Sequence, residues 1–161
     1  MGPPGSAILL TLVAIAVGAW LYFKPPSSVG DQSLQKYMGF EAGIESVVLR
    51  NCAPPGCAAV YLTPAAGRKS LDAVPAAVSL SAQLAEQGLE CYIVLAGEPI
   101  ADAVKRARGI RRPVVFDPNG DWGRDSGIEK TPYWIVWRTG GKVRLRSDEP
   151  VTAADVASAL R

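Results

Sequence analysis

The sequence predicts an α/β domain with a mixed sheet flanked by helices, preceded by one N-terminal transmembrane helix. Three observations predict this class. Short apolar, β-branched segments alternate with segments of helical periodicity, which is typical of parallel βαβ units. The end of the chain instead indicates a hairpin followed by a helix, which adds antiparallel strands. All Lys, Arg, Asp and Glu residues of the 161-residue chain lie after residue 23, and the segment before them is apolar.

The predicted elements begin at residue 44 and follow in the order β-β-α-β-α-β-α-β-β-α, with the third helix short. Strands are expected at 44–50, 57–63, 89–97 and 112–117, and in a hairpin over 131–147 whose turn lies around residues 139–141. Helices are expected at 70–88, 98–109 and 152–160, with a short helical or irregular piece before the hairpin. The first helix has apolar residues at helical spacing, namely Leu71, Val74, Val78 and Leu84. Thr152 is placed to cap the last helix.

The apolar segment near the N-terminus predicts a membrane anchor. Residues 7–23 contain no formal charge, and these seventeen residues are about the minimum for a transmembrane helix. Trp20 and Tyr22 stand where interfacial aromatic residues occur, and Lys24 ends the segment. The alternative is a signal peptide cleaved after the small residues at 17–19. We expect residues 1–23 to remain as a single-pass anchor.

The composition after the anchor predicts one tethered domain. Residues 24–43 are rich in Pro, Ser and Gly and are expected to be a linker, which leaves 44–161 as the folded domain. The net charge of +2 does not indicate a nucleic-acid partner. The chain contains no histidine, which excludes Ser-His-Asp triads and histidine metal ligands. We expect no cofactor and no metal.

Two of the three cysteines frame a tight turn. Cys52 and Cys57 enclose the sequence Ala-Pro-Pro-Gly between two predicted strands, and this turn can bring the two sulfurs together. A structural disulfide is the favoured interpretation and would place the domain in an oxidising compartment. A redox-active pair, or unpaired or metal-linked cysteines, are the alternatives. Cys91 lies within an apolar strand and is expected to be a core residue.

The segment from Pro113 to Val143 resembles the thioredoxin fold, in particular the membrane-anchored extracytoplasmic branch related to TlpA and ResA. The shared pattern is an apolar strand, an Asp-Gly turn, then Thr-Pro, and a second apolar strand that ends in a Gly-Lys hairpin. The resemblance implies a cis-proline after Thr131, at Pro132, that faces the active site and could border a peptide-binding groove. It also implies a bacterial inner-membrane location with the domain in the periplasm.

Members of this family carry a C-x-x-C pair at the start of the first helix, ahead of a proline that kinks it. Here the corresponding positions, set by Pro75, are Gly67, Arg68, Lys69 and Ser70. A thiolate at a helix N-terminus is the nucleophile of thioredoxin-type exchange, and neither Gly67 nor Ser70 can supply one. This alignment predicts a redox-inactive module that binds or assembles unidentified envelope proteins. The alternative is a thiol–disulfide oxidoreductase that uses Cys52 and Cys57.

Overall fold

The computed structural model describes residues 24–39 and 42–161. The predicted anchor at 1–23 lies outside these residues. Within them, none of the helices is long and apolar enough to cross a membrane.

A seven-stranded mixed sheet forms the centre of the domain, with the spatial order β2-β1-β5-β4-β3-β6-β7. Its strands are β1 (Leu34–Tyr37), β2 (Ile44–Val47), β3 (Gly56–Leu62), β4 (Glu90–Ala96), β5 (Val114–Asp117), β6 (Tyr133–Arg138) and β7 (Val143–Ser147). β3 pairs in parallel with β4, and β4 with β5, whereas all other neighbouring strands are antiparallel. The predicted combination of parallel βαβ units with an antiparallel hairpin is therefore confirmed.

Four α-helices flank the sheet: α1 (Arg68–Glu86), α2 (Ile100–Ala107), α3 (Asp121–Asp125) and α4 (Ala153–Leu160). Two 3₁₀ turns, Leu49–Asn51 and Pro64–Ala66, lead into β3 and α1. Thr152 caps α4 as predicted, since its side chain accepts a hydrogen bond from the Asp155 backbone and the Asp155 carboxylate accepts one in return.

Alternate residues of β3 enter two separate hydrophobic cores, because successive side chains of a strand point to opposite faces. Ala58, Val60 and Leu62 face the core that is covered by α1, α2 and α4. Cys57, Ala59 and Tyr61 face the other core, which contains Trp122 of α3. The three longer helices thus share one face, and the cysteine turn belongs to the opposite face.

The first strand lies in the segment interpreted as a linker. β1 inserts between β2 and β5 and pairs antiparallel with both. Val29, which precedes it, is also buried. The ordered domain therefore begins before residue 44, and its sheet gains an internal strand that the Pro- and Ser-rich composition of this segment did not reveal.

Most of the predicted face of α1 is confirmed. Leu84 is buried, and Val74 and Val78 are partly buried against the core that Ala77 and Leu80 also enter. Leu71 is the exception, at 43% exposure. The helix begins at Arg68, two residues before the predicted start, and Ser70 on its first turn is buried.

Candidate functional site

The cysteine turn lies at the amino end of β3. Cys52 and Cys57 form a disulfide whose Cα atoms are 6.4 Å apart, which is within the range that such bonds span. Between them Ala53, Pro54 and Pro55 are exposed, and the Pro54–Pro55 peptide bond is cis. The pairing predicted from the sequence is confirmed, and it joins the 3₁₀ turn at 49–51 to the strand.

The two sulfurs differ in their surroundings. The Cys57 residue is fully buried, at 0% exposure, while Cys52 retains 6% and is followed by the exposed tip of the turn. The Sγ of Cys57 lies 4.0 Å from the carbonyl oxygen of Leu49. A thiol approaching from solvent therefore meets the Cys52 side of the bond first.

The tip of the β6–β7 hairpin holds this turn in place. Gly140 donates its backbone N–H to the carbonyl of Arg50 at 2.9 Å, and the Arg50 guanidinium donates to the carbonyl of Gly140 at 2.8 Å. The N–H of Thr139 donates to the carbonyl of Pro55 at 3.4 Å. Position 56 requires glycine, since a Cβ there would lie 2.2 Å from the carbonyl oxygen of Trp137.

The positions that correspond to the C-x-x-C pair lie at the other end of β3. Gly67 is the N-cap residue of α1 and makes no side-chain cap, and Arg68 and Lys69 are exposed. Ser70 is buried, and its hydroxyl accepts the N–H of Thr63 at 3.0 Å. These residues belong to the carboxyl end of the parallel strands, which is the end opposite to the disulfide.

The predicted cis-proline lies beside this helix start. The Thr131–Pro132 peptide bond is cis. The hydroxyl of Ser70 donates to Thr131 Oγ1 at 3.4 Å, and Thr63 Oγ1 also contacts Thr131 Oγ1. Together with Gly67 these side chains line a cleft of about 150 Å³. The hydroxyls satisfy one another, and the use of this cleft for peptide binding stays a prediction.

Trp134 and Trp137 fall on opposite faces of β6, as their spacing predicts, and both are buried. The Trp137 indole N–H donates to the carbonyl of Leu49 at 3.1 Å, which ties β6 to the cysteine turn.

A buried polar cluster at the carboxyl end of β3 was not foreseen. Asp117, at the end of β5, is 2% exposed and accepts hydrogen bonds from the Tyr61 hydroxyl and from the N–H groups of Trp122 and Gly123. Burial, and then the charge and hydrogen bond of Asp117, raise the pKa of Tyr61 well above its ordinary value. The Tyr61 ring stacks on Trp122, with ring centroids 6.0 Å apart. The Asp-Pro-Asn-Gly turn and the following Trp carry the only sequence signal for this cluster.

Cys91 is the unpaired cysteine and lies inside β4 with 1% exposure. Burial raises the pKa of its thiol to about 12, although Arg112 opposes the shift. The prediction that it is a core residue is confirmed, and its protonated, enclosed thiol is a poor nucleophile.

Comparison with known proteins shows a thioredoxin-like fold. No family model and no curated protein sequence matches this chain. A structure named as the thiol:disulfide interchange protein DsbE of Chlorobium tepidum superposes with a TM-score of 0.62 at 18% identity, covering 86% of this chain and 99% of that one. The exposed lipoprotein thioredoxin Etrx1 of Streptococcus pneumoniae gives a TM-score of 0.60 at 16% identity, with 81% and 98% covered. A secreted thiol-disulfide isomerase of Corynebacterium glutamicum gives 0.61 at 13% identity, with 82% of each chain covered.

The prediction of a redox-inactive binding or assembly module is wrong. It treated the loss of cysteines at Gly67 and Ser70 as the loss of a redox pair. The chain instead carries a bonded C-x₄-C pair, Cys52 and Cys57, at the amino end of β3. Two of the similar structures are named as thiol:disulfide interchange proteins.

Proposed function

We propose that this domain is a thiol–disulfide oxidoreductase whose reacting pair is Cys52 and Cys57. The observation that carries the proposal is the disulfide itself, which joins Cys52, 6% exposed beside the exposed residues 53–55, to the fully buried Cys57. Exchange enzymes need one sulfur that a substrate can reach and a second that is held close enough to close the bond again. The turn at 52–57 meets both requirements.

The different burial of the two sulfurs assigns their roles. A substrate thiolate attacks Sγ of Cys52, a bond forms between these two sulfurs, and the Cys52–Cys57 bond breaks. The electron pair of the broken bond leaves on Sγ of Cys57, which takes up a proton. The carbonyl of Leu49, 4.0 Å away, is the acceptor available to the new thiol.

A second thiolate completes the reaction. It attacks the substrate sulfur of the mixed disulfide, and the electron pair returns to Sγ of Cys52. Two substrate thiols have then become one substrate disulfide, and the protein has gained two electrons and two protons as a dithiol. In the opposite direction the dithiol reduces a substrate disulfide. The reduction potential of the pair relative to its compartment decides the direction.

The proposed setting is outside the cytoplasm, with residues 7–23 as a single-pass anchor in the inner membrane. Disulfides persist in oxidising compartments, which supports this location. Lys24, where the anchor would end, lines a groove together with Tyr133 at the start of β6. Tyr133 pairs with Tyr61, at the opposite end of β3 from Cys57. The exchange site would therefore face away from the membrane, towards thiol-containing proteins of the envelope as partners.

The first test is the reduction potential of the full-length protein, equilibrated with dithiothreitol or glutathione buffers. A Cys91→Ala variant removes the third thiol from the count. We expect the pair to titrate between about −120 and −270 mV, where exchange enzymes lie. A pair that stays oxidised below about −300 mV would be a structural bond, and the proposal would be wrong.

A trapping experiment tests the two roles. With Cys57→Ser, Cys52, which is the less buried of the two cysteines, should accumulate mixed disulfides with a peptide disulfide, because no second sulfur can release them. The matched variant Cys52→Ser retains only the buried Cys57 and should trap at least about ten times less, because exchange requires access to the thiolate. Equal trapping by both variants would show that the two cysteines do not have different roles, and stronger trapping by Cys52→Ser would reverse the assignment.

A further inference from the structure

The segments next to the cysteine turn contain basic residues and no acidic ones. Residues 134–145, which run from β6 through the hairpin turn into β7, include three Lys or Arg and no Asp or Glu. Residues 46–67, which contain the cysteine turn, include one basic residue, Arg50, and no acidic one. The overall charge of the chain is only +2, so this bias is local.

The fold brings these four basic residues to the same end of the sheet as the disulfide, where the guanidinium groups of Arg138 and Arg144 donate to the carbonyls of Arg161 and Ala159 at the end of α4. Arg50 precedes Cys52 by two positions and is bonded to the hairpin tip at Gly140. Arg138 is the register partner of Gly56, which adjoins Cys57. Lys142 and Arg144 follow on the same hairpin and are exposed. We call Arg50, Arg138, Lys142 and Arg144 the basic rim.

Few carboxylates offset this charge. Asp31 lies 3.9 Å from the Arg50 guanidinium, but its own side chain is 77% exposed, so the pair is weak. Glu90 is the register partner of Cys57 on β4 and accepts a hydrogen bond from the Tyr92 hydroxyl. Within residues 24–39 and 42–161, neither Lys142 nor Arg144 has a salt bridge.

The spacing of the strands shows how far the backbone of the rim lies from the disulfide. Adjacent strands are about 4.8 Å apart, so the backbone of β6 lies one spacing and that of β7 two spacings from Cys57, which is bonded to the reacting Cys52. Both separations are no longer than the Debye length, which is about 10 Å at 0.1 M salt. A thiolate that approaches Cys52 therefore experiences the field of the rim.

We infer that the basic rim makes the enzyme select thiol substrates whose reacting cysteine is flanked by Asp or Glu. This inference rests on the proposed exchange at Cys52 and Cys57. Acidic neighbours disfavour the thiolate of such a substrate and slow its exchange in free solution. The rim compensates for this repulsion and attracts the acidic segment. The enzyme therefore prefers the substrates that react more slowly in free solution.

Three peptides that differ only in the residues flanking one cysteine provide the test. The flanking residues are Glu, Gln or Lys. We measure the rate at which each peptide reduces the Cys52–Cys57 bond of the full-length protein in neutral detergent. Each rate is divided by the thiolate fraction of the peptide. At low salt we expect the Glu peptide to react about ten times faster than the Lys peptide, within the range of electrostatic steering. At 0.5 M salt the ratio should fall to about two or less, because screening shortens the reach of the field.

Charge removal tests whether the rim is responsible. The double variant Lys142→Gln/Arg144→Gln should lower the Glu-to-Lys ratio at least threefold while the Gln peptide reacts as before. Lys105→Gln is the matched control, since Lys105 is 75% exposed on α2 and its ion pair with Asp102 is a surface pair. The control should keep the wild-type ratio.

The outcomes separate the two proposals. If the Gln peptide exchanges but the three rates are equal, or if the double variant keeps the preference, the rim does not select substrates and only this inference fails. If no peptide reduces the bond, the proposed function fails as well. A third outcome is that peptide charge has no effect, while vesicles with anionic lipid bind the wild-type protein and do not bind the double variant. The rim would then bind membranes, and the inference would be overturned.

Discussion

Cys57 and Trp137 lie directly opposite each other on β3 and β6, and both are 0% exposed. Cross-strand partners have Cβ atoms about 4.5 to 5.5 Å apart. The Trp137 indole N–H also donates to Leu49, whose carbonyl lies next to the Cys57 sulfur. The indole is therefore in position to respond to the state of the disulfide.

This contact predicts a spectroscopic signal for the redox reaction. A disulfide quenches the fluorescence of an adjacent indole, so reduction of the Cys52–Cys57 bond should raise the emission. Trp137→Phe should remove most of that increase. Trp134→Phe is the matched control, because Trp134 lies on the other face of β6 and should leave the increase intact. An increase that survives Trp137→Phe and disappears in Trp134→Phe would contradict the geometry.

The contact between Gly123 and Tyr61 predicts a destabilising substitution. A Cβ at position 123 would lie 2.3 Å from the Tyr61 hydroxyl oxygen and 2.4 Å from Cζ. Gly123→Ala must therefore displace the ring and disturb its bond to Asp117, and we expect a loss of about 1–3 kcal/mol in the free energy of unfolding. Urea denaturation measures it.

Gly67→Ala is the control for this substitution. No atom lies within 4 Å of the added Cβ, and the φ of 163° at Gly67 is an extended conformation open to any residue. Its cost should stay within about 0.5 kcal/mol, as for surface changes in general. Equal costs for the two variants would show that the ring does not fill the space beside Gly123.

Much of the fold follows from hydrophobic pattern alone. β3 and β4 are short apolar strands of the βαβ region, and the Gly-Gly turn marks the β6–β7 hairpin, so their order and direction could be predicted. β1 escaped prediction because its four residues include a Gln and a Lys within a segment of Pro, Ser and Gly. The sheet itself stabilises this strand, through pairing on both edges.

The candidate site was harder to predict for a physical reason. The Cys52–Cys57 pairing follows from local spacing, because a tight turn between strands brings the residues together. The importance of this pair did not follow, since family resemblance directed attention to Gly67 and Ser70 at the other end of β3. The turn is held by hydrogen bonds between residues far apart in the sequence. Arg50 and Gly140 are separated by 90 residues, and Trp137 and Leu49 by 88. Short-range patterns do not record such contacts.

Asp117 should be a major contributor to stability. Its buried carboxylate accepts from Tyr61 at 2.8 Å and from the backbone of Gly123 at 2.9 Å. Asp117→Asn replaces one accepting oxygen by an NH₂ group and leaves a donor facing a donor, which should cost about 1–3 kcal/mol. Tyr61→Phe removes one hydrogen bond only, and its effect should be about 1 kcal/mol.

A double-mutant cycle checks this assignment. The two substitutions share the hydrogen bond between Tyr61 and Asp117, so their combined cost should be smaller than the sum of the single costs. Urea midpoints and slopes of the four proteins give the coupling free energy, which we expect to be about 0.5 kcal/mol or more. Strict additivity would mean that the hydrogen bond contributes nothing to stability.

The buried thiol of Cys91 predicts a loss of stability in alkali. Its pKa is raised by burial from 9.0 to about 12, so above pH 9 the unfolded chain releases this proton while the folded chain retains it. The folded state then binds more protons, and the free energy of unfolding falls as pH rises from about 9 towards 12. Between pH 8 and pH 10 this one group should remove about 1 kcal/mol. Cys91→Ala eliminates the titrating group. For each protein we take the change in the free energy of unfolding between pH 8 and pH 10, and these two changes are compared. The absolute stabilities are not compared, because the substitution also changes the packing. Tyr61 and Tyr92 titrate in both proteins and cancel in this comparison. A variant that loses as much stability as the wild type over this interval would show that the Cys91 thiol ionises as easily in the folded chain as in the unfolded one.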